Sequence, residues 1–316
     1  MGRRHLLTIV IALATIGAFV AVAFQASGSA LHAATSPSWP MLATAFVVMA
    51  LAQPLRALAW RATLRQPVDF KAIYAASALG SFLDTVLPAR LGEASKVGVL
   101  RVSAGRRWPG FSRAAGSLLC AHLLEAAAFV LVGAGAVFFL PFPDWARGTL
   151  AGGFGLAAGG IVLAAVLHRK IGRRLPRGLD RFLAAAAAPP RVIAHAGIIL
   201  LATWIVRWFG MVLLLNAVGV KAGLGAALVY LIVTGLANTA PLLPGNAGVY
   251  QGAALGALAL VGQAGSKAVA VSIVAPVFAS VVTAAAALVG IAVYGRRFPE
   301  LPRAAFSRAA FSRGSA

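Results

Sequence analysis

Acidic residues and cysteine are both scarce in this chain, and each scarcity limits the chemistry available to it. Only seven of the 316 residues are Asp or Glu. They are too few and too scattered for a paired-carboxylate active site. The one cysteine, Cys120, excludes an intrachain disulfide and a cysteine-based metal cluster. Charged residues make up 11% of the chain and hydrophobic residues 60%, which is too apolar for a soluble globular domain.

Motifs of the common enzyme classes are also missing. The sequence has no Gly-x-Ser-x-Gly, no His-Glu-x-x-His and no Walker loop, and its five histidines lack metal-ligand spacing. No polar stretch is long enough to fold as a catalytic domain. We therefore expect no catalytic residue, no metal and no cofactor, and we do not expect an enzyme.

Long apolar runs are what the sequence does have. Runs of about 20 residues, the length that spans a bilayer, recur along the chain. They predict full membrane spans at about 6–25, 41–60, 114–140, 147–167, 192–217 and 268–294. The first run follows a basic start and so resembles a signal peptide, but its length favours a retained span.

The formal charge of +21 is distributed in short segments between the apolar runs. This is the positive-inside pattern of membrane proteins, and it argues against nucleic-acid binding. If the N-terminus is cytoplasmic and the two broken segments are re-entrant hairpins, the only Lys or Arg residues on the outer side of the membrane are Arg147, Lys221 and Lys267. We therefore predict a multi-pass protein of the plasma (inner) membrane with both termini cytoplasmic. Its single transmembrane domain covers 1–295, and residues 296–316 form a basic cytoplasmic tail.

Two further apolar segments, about 72–100 and 223–263, each carry a proline and a glycine where a helix should break. The first reads LPARLGEASK at the break and the second LPGNAGVYQG, with a glycine four positions after the proline in both. Broken segments at corresponding places indicate an inverted repeat, here with pseudo-repeats of about 41–140 and 192–294. The alternative is that Pro and Gly are simply commoner in membrane helices. The predicted fold is all-α and polytopic, with about six full spans and two re-entrant broken-helix hairpins.

A half-helix that begins after such a break points its N–H groups and the positive end of its dipole into the membrane, where they favour an anion such as a phosphate. Two interpretations of the surrounding residues are open: a headgroup site, or a shallow ion cluster at the first break and simple packing at the second. The candidate site residues are Asp84, Pro88, Arg90, Gly92, Glu93 and Lys96 at the first break, and Pro244, Gly245, Asn246, Gly248, Tyr250 and Gln251 at the second.

Three ionisable residues lie in other apolar segments, where charge is costly. Glu125 follows His122 by three positions on the same helix face, and Arg207 lies between aromatic residues. We interpret them as intramembrane polar support, with Glu125 and Arg207 as a candidate pair. A proton relay through His122 and Glu125 is the alternative. Arg56 is expected to extend to the membrane interface.

The stretch GSFLDTVLPARLGEASKVGVLR resembles the first signature of the flippase-like transmembrane domain of lysylphosphatidylglycerol synthases. In that family the pattern is Leu-Pro-x-Arg-x-Gly-Glu followed by a basic residue. The stretch PLLPGNAGVYQGAALGALALVG resembles the second signature. Asn246 stands where the family usually has Gly, and Gln251 where it often has Glu, so a titrating carboxylate is not expected at the second break. Asp84 stands where Asn is more usual.

The resemblance implies lipid movement between leaflets, or association with a partner enzyme, without aminoacyl transfer because no soluble transfer domain is present. The leading hypothesis is a translocase for an anionic phospholipid or polyprenyl-phosphate lipid. The alternative is a non-transporting partner that presents lipid to a separate glycosyl- or aminoacyl-transferase. A transporter of a small soluble anion and a membrane-embedded enzyme stay open. The expected partners are anionic membrane lipids and the possible lipid-modifying transferase, and the oligomeric state is unknown.

Overall fold

The computed structural model describes residues 37–86, 91–139, 159–160, 162–163, 166–167, 176–237, 248–263 and 265–294. Every regular element in these residues is helical, as predicted. The α-helices are α1 (Trp39–Ala50), α2 (Ala52–Leu64), α3 (Phe70–Val86), α4 (Leu91–Ala104), α5 (Phe111–Phe139), α6 (Arg177–Ala186), α7 (Pro190–Ala217), α8 (Leu224–Ala237), α9 (Val249–Leu260) and α10 (Ser266–Tyr294).

Four stretches of the described chain are long and apolar enough to cross a bilayer. They are Trp39–Leu64, which joins α1 and α2, and Phe111–Gly135, Pro190–Ala217 and Ser266–Val293. These correspond to the predicted spans at about 41–60, 114–140, 192–217 and 268–294. The chain is therefore a multi-pass membrane protein. The predicted span at 6–25 lies outside the described residues, as does most of the one at 147–167.

Each of the two segments predicted to be broken contains two separate helices. In the first they are α3 and α4, and in the second α8 and α9. The helices α8 and α9 have 14 and 12 residues. At 1.5 Å per residue they extend about 21 and 18 Å, less than the roughly 30 Å of hydrocarbon in a bilayer. Neither helix can therefore cross alone. The breaks themselves, at 87–90 and 238–247, lie outside the described residues, and re-entry stays a prediction.

Prolines explain two irregularities of the long spans. Pro54 has no N–H to donate to the Ala50 carbonyl, so α1 ends at Ala50 and α2 begins at Ala52. Pro276 lies inside α10, which nevertheless continues. Pro276 has no N–H to donate to the Ser272 carbonyl, and α10 continues on both sides of this one missing hydrogen bond.

The chain divides into two compact units whose boundaries fall between α1 and α2 and within other helices. The first unit comprises Met1–Ala50, Ser81–Glu93 and Arg207–Ala285. The second comprises Leu51–Gly80, Ala94–Val206 and Ala286–Ala316. These units interleave segments from both pseudo-repeats, and the inverted repeat stays a prediction.

The second unit is built on α2, α5 and α7, whose small residues allow close packing. A buried cluster gathers Ala59 from α2, Cys120 and Leu124 from α5, and Leu200 and Trp204 from α7. Buried polar groups join α2 to α5, since Trp60 Nε1 donates to Ser117 Oγ at 3.1 Å and Thr63 Oγ1 donates to the Ser117 carbonyl at 3.0 Å. In a membrane such hydrogen bonds and small-residue contacts replace the hydrophobic effect between helices.

The first unit fixes the turn between α7 and α8 by hydrogen bonds from α7. Asn216 Nδ2 donates to the Ala222 carbonyl at 2.8 Å, and Trp208 Nε1 donates to the Leu224 carbonyl at 2.7 Å. The helices α8 and α9 then pack against each other. These contacts set the position of α8, whose buried face carries the polar residues described below.

Candidate functional site

The start of α4 is capped by a carboxylate from the helix before the first break. Asp84, near the end of α3, accepts a hydrogen bond at 3.0 Å from the backbone N–H of Glu93. Glu93 is the third residue of α4, and its N–H is one of the groups that a helix start leaves without an intrahelical partner. Asp84 therefore acts as a capping residue supplied from nine positions upstream. Its negative charge also lies at the positive end of the α4 dipole, which stabilises both.

The start of α9 is capped in a different way. Gly248 precedes α9 with φ of 84°, a left-handed conformation that glycine adopts without steric cost. Its N–H donates to Oε1 of Gln251 at 2.6 Å, the reciprocal half of a capping box. The cap at α9 is thus a neutral amide, whereas the cap at α4 is a carboxylate. Asp84, Gly92, Glu93, Gly248 and Gln251 all belong to the first unit.

A pair of tyrosines joins α8 to α9 beside the second break. The Tyr230 and Tyr250 hydroxyl oxygens are 3.3 Å apart, and the ring centroids are 6.5 Å apart in an edge-to-face arrangement. One turn after Tyr230 on α8, the Thr234 hydroxyl donates to the Tyr230 carbonyl at 2.6 Å. Tyr250 was predicted from the sequence as a site residue, while Tyr230 and Thr234 were missed. The sequence did contain a signal for them, because Tyr230 and Thr234 are four positions apart and so place two hydroxyls on one face of an apolar helix.

In the second unit, Glu125 forms an ion pair with Arg56. The Arg56 Nη2 and Glu125 Oε2 atoms are 3.0 Å apart, and the side chains are 23% and 14% exposed. From the sequence, Arg207 is a candidate partner of Glu125, and Arg56 is expected at the membrane interface. In the structure the Arg56 guanidinium lies against the Glu125 carboxylate. The His122 Nδ1 atom lies 3.7 Å from Glu125 Oε2, as their spacing of three on α5 predicts.

Lys96 is buried beside this ion pair. Its side chain is 2% exposed, and it lines a cavity of about 20 Å³ together with Arg56, His122 and Glu125. A cavity of this size has room for about one water molecule. The Lys96 side chain is therefore not solvated, whereas the shallow ion cluster considered for the first break would leave it in solvent.

The backbone around Glu125 is held by an indole. Trp204 Nε1 donates to the Glu125 carbonyl at 3.2 Å, and its ring packs on Phe129 with centroids 4.8 Å apart. Both contacts tie α7 to α5 at the level of the ion pair. The hydrogen-bonding role of Trp204 was not apparent from the sequence, because a tryptophan in an apolar run predicts only that its ring packs in the core.

Five of the predicted site residues lie outside the described residues, namely Pro88, Arg90, Pro244, Gly245 and Asn246. Among the described residues, no group of three His, Cys, Asp or Glu side chains is placed to hold a metal ion. The described candidate residues thus fall into two separate groups: two capped helix starts with a tyrosine pair in the first unit, and a charged cluster in the second unit.

These features define an all-helical, multi-pass membrane protein with two broken apolar segments. The family model for the lysylphosphatidylglycerol synthase TM region matches residues 6–290. The chain therefore belongs to that family, and the resemblance read from its two signatures is confirmed. No curated protein sequence and no solved structure shows significant similarity to it. Membership makes the chain a membrane protein of lipid metabolism or transport.

Proposed function

We propose that this chain moves a lipid with an anionic headgroup, a phospholipid or a polyprenyl-phosphate lipid, between the two leaflets of the plasma membrane. One observation carries the proposal: the starts of α4 and α9, which both follow a proline-containing interruption, belong to one compact unit. Transporters bind substrate at such discontinuous helices near the bilayer midplane. The hairpins enter from opposite faces, and both termini are cytoplasmic.

The two helix starts differ in charge, and the difference suggests where a phosphate binds. The Asp84 carboxylate at α4 repels an anion, whereas the Gln251 amide at α9 does not. The headgroup phosphate therefore lies nearer the start of α9. Arg90 supplies a guanidinium fork that matches phosphate geometry, while Asp84 keeps α4 in place. The Tyr250 hydroxyl offers a hydrogen bond to the headgroup.

The charged cluster of the second unit has a supporting role in this account. The ion pair between Arg56 and Glu125 compensates two charges at membrane depth, and Trp204 fixes the helix that carries one of them. His122 is close enough to Glu125 to exchange a proton with it through small movements. We assign it no part in lipid movement, and no catalytic step is assigned to any residue.

A second candidate function is a non-transporting partner that presents lipid to a separately encoded transferase. The observation that favours it is the family itself, which is named for a synthase and matched here only through its transmembrane region. A stable complex with a glycosyl- or aminoacyl-transferase, isolated without any transport activity, supports this candidate over the first.

The test is leaflet-resolved lipid transport in reconstituted vesicles. Wild type, Arg90→Ala and a control, Arg107→Ala, are compared with phosphatidylglycerol carrying a fluorophore on an acyl chain. Arg107 is exposed at the turn after α4, so its loss removes the same charge outside the site. We expect wild type and the control to equilibrate the lipid and Arg90→Ala to be at least about tenfold slower, since a lost charge-assisted contact of about 1.4 kcal/mol gives that factor.

Equal transport by wild type and Arg90→Ala contradicts the headgroup role of Arg90. Transport no faster than in protein-free vesicles, for all variants and for both phosphatidylglycerol and a polyprenyl-phosphate lipid, contradicts translocation itself. Substrate-dependent uptake of a water-soluble anion into the same vesicles would show that the transported substrate is a soluble anion and not a lipid.

A further inference from the structure

A groove of about 580 Å³ lies between the end of α2 and the start of α7, apart from the residues assigned above. Both stretches belong to the second unit. The volume is within the usual range of ligand sites, roughly 300–1,000 Å³. The polar groups in its wall are Arg61 from α2, Arg65 and Gln66 directly after α2, and Arg191 and His195 from α7.

The charge of the groove is of one sign. Three of the nine lining residues are arginines, and none of the nine is acidic. Arg191 and His195 are four positions apart on one face of α7, and Arg65 follows the last residue of α2 with φ of 52°. Arg65 is held in place because its guanidinium donates to the Ala184 carbonyl at 2.6 Å. The result is a set of guanidinium groups converging from two helices, which suits the several oxygens of a phosphate.

The remaining wall of the groove is apolar and extends toward the middle of the two spans. Leu58 and Ala62 provide it on α2, and Val192 and Ile199 on α7. The charged residues lie at the ends of the spans Trp39–Leu64 and Pro190–Ala217, where headgroups are found. A soluble phosphate has no apolar surface to bury against such a wall, whereas the acyl chain of a lipid does.

We infer that this groove binds the phosphate headgroup of an anionic phospholipid from the leaflet on the side of Arg61 and Arg191, the cytoplasmic leaflet in the predicted topology. The guanidinium groups hold the phosphate, and the apolar wall holds the start of the acyl chains. This site is separate from the two helix starts proposed for translocation. It does not depend on transport, because a bound lipid here only needs to exchange with its own leaflet.

The test is lipid binding to the purified full chain in nanodiscs or by native mass spectrometry, with phosphatidylglycerol, phosphatidylcholine and inorganic phosphate as probes. The groove variant combines Arg61→Gln with Arg191→Gln, and leaves Arg65 because of its bond to Ala184. The matched control combines Arg177→Gln with Arg181→Gln, two exposed arginines four apart on α6. We expect about tenfold weaker phosphatidylglycerol binding for the groove variant and less than about twofold for the control.

A second variant, Leu58→Trp, fills the groove without changing its charge and is expected to weaken binding as well. The groove variant is expected to cause the same loss of binding in an Arg90→Ala background, which separates this inference from the proposed translocation. Equal losses in the groove variant and the control indicate only general attraction of anionic lipid to a basic surface, and overturn the site. Wild-type binding in the groove variant, or displacement of the lipid by millimolar inorganic phosphate, also overturns it.

Discussion

At the scale of single residues, two acidic side chains of this membrane protein bind groups on other helices. Glu125 is stabilised by Arg56, and the N–H of Glu93 by Asp84. An unpaired charge in an apolar segment costs several kcal/mol, so each such group needs a partner. Removing one member of a pair therefore does more damage than removing both.

The Arg56→Met variant is expected to unfold at a lower temperature than wild type, because it leaves the Glu125 carboxylate without its guanidinium. Breaking a fully buried pair costs about 3–5 kcal/mol, and we expect about 1–2 here because both side chains are partly exposed. The double variant Arg56→Met, Glu125→Gln should recover part of the loss. Thermal unfolding in detergent measures both. If the two single losses simply add in the double variant, the pair is not energetically coupled.

Asp84 combines a structural role with an electrostatic one, and two substitutions separate them. Asp84→Asn keeps an oxygen acceptor for the Glu93 N–H while removing the charge, so stability should change little. Binding of an anionic headgroup should strengthen about fivefold, since about 1 kcal/mol of repulsion is removed. Asp84→Ala removes the cap and should lower stability by about 1 kcal/mol. Weaker phosphatidylglycerol binding by Asp84→Asn than by wild type contradicts the assignment.

At the scale of elements, close packing of α5 on α6 depends on one glycine. A Cβ at Gly116 would overlap the carbonyl oxygen of Phe182 in α6 and contact Ala185. Because the obstacle is backbone, it cannot move aside without displacing the helix. Gly135, further along α5, has nothing within 4 Å of the same position.

Gly116→Ala is therefore expected to lower the melting temperature by several degrees, although alanine is the better helix former. Gly135→Ala on the same helix is the control, and it should leave the melting temperature unchanged or raise it slightly. The comparison cancels the intrinsic propensity of about 1 kcal/mol common to both changes. Equal effects at the two positions would show that α5 does not approach α6 so closely.

The elements themselves were predictable because their signals are local. Apolar runs of about 20 residues marked four spans, and Pro88 and Pro244 marked two segments that contain separate helices. The contacts between elements were not predictable in the same way. Arg56 and Glu125 are 69 positions apart, and nothing local distinguishes Arg56 from Arg207 as a partner. The cap from Asp84 also depends on how α3 returns toward α4, which spacing alone does not fix.

At the scale of the whole molecule, the predicted topology requires that both broken segments are re-entrant. In a Cys120→Ala background, single cysteines replace Lys71 and Arg107 on either side of the first segment, and Lys221 and Lys267 on either side of the second. We expect a membrane-impermeant thiol reagent to label the first two from the cytoplasmic side and the last two from outside. Labelling of either pair from opposite sides means that the segment crosses the membrane once, and the positive-inside argument fails.

The central claim is that both broken segments together hold an anionic headgroup inside the membrane. The most direct measurement is a structure of the protein in nanodiscs containing phosphatidylglycerol, with the distances from the lipid phosphate to Gly248 and Glu93. The account predicts headgroup density within hydrogen-bonding reach of the α9 start and of Arg90, and further from Asp84. Apolar side chains filling the space between the two helix starts, with lipid phosphate only at the membrane surfaces, would contradict it.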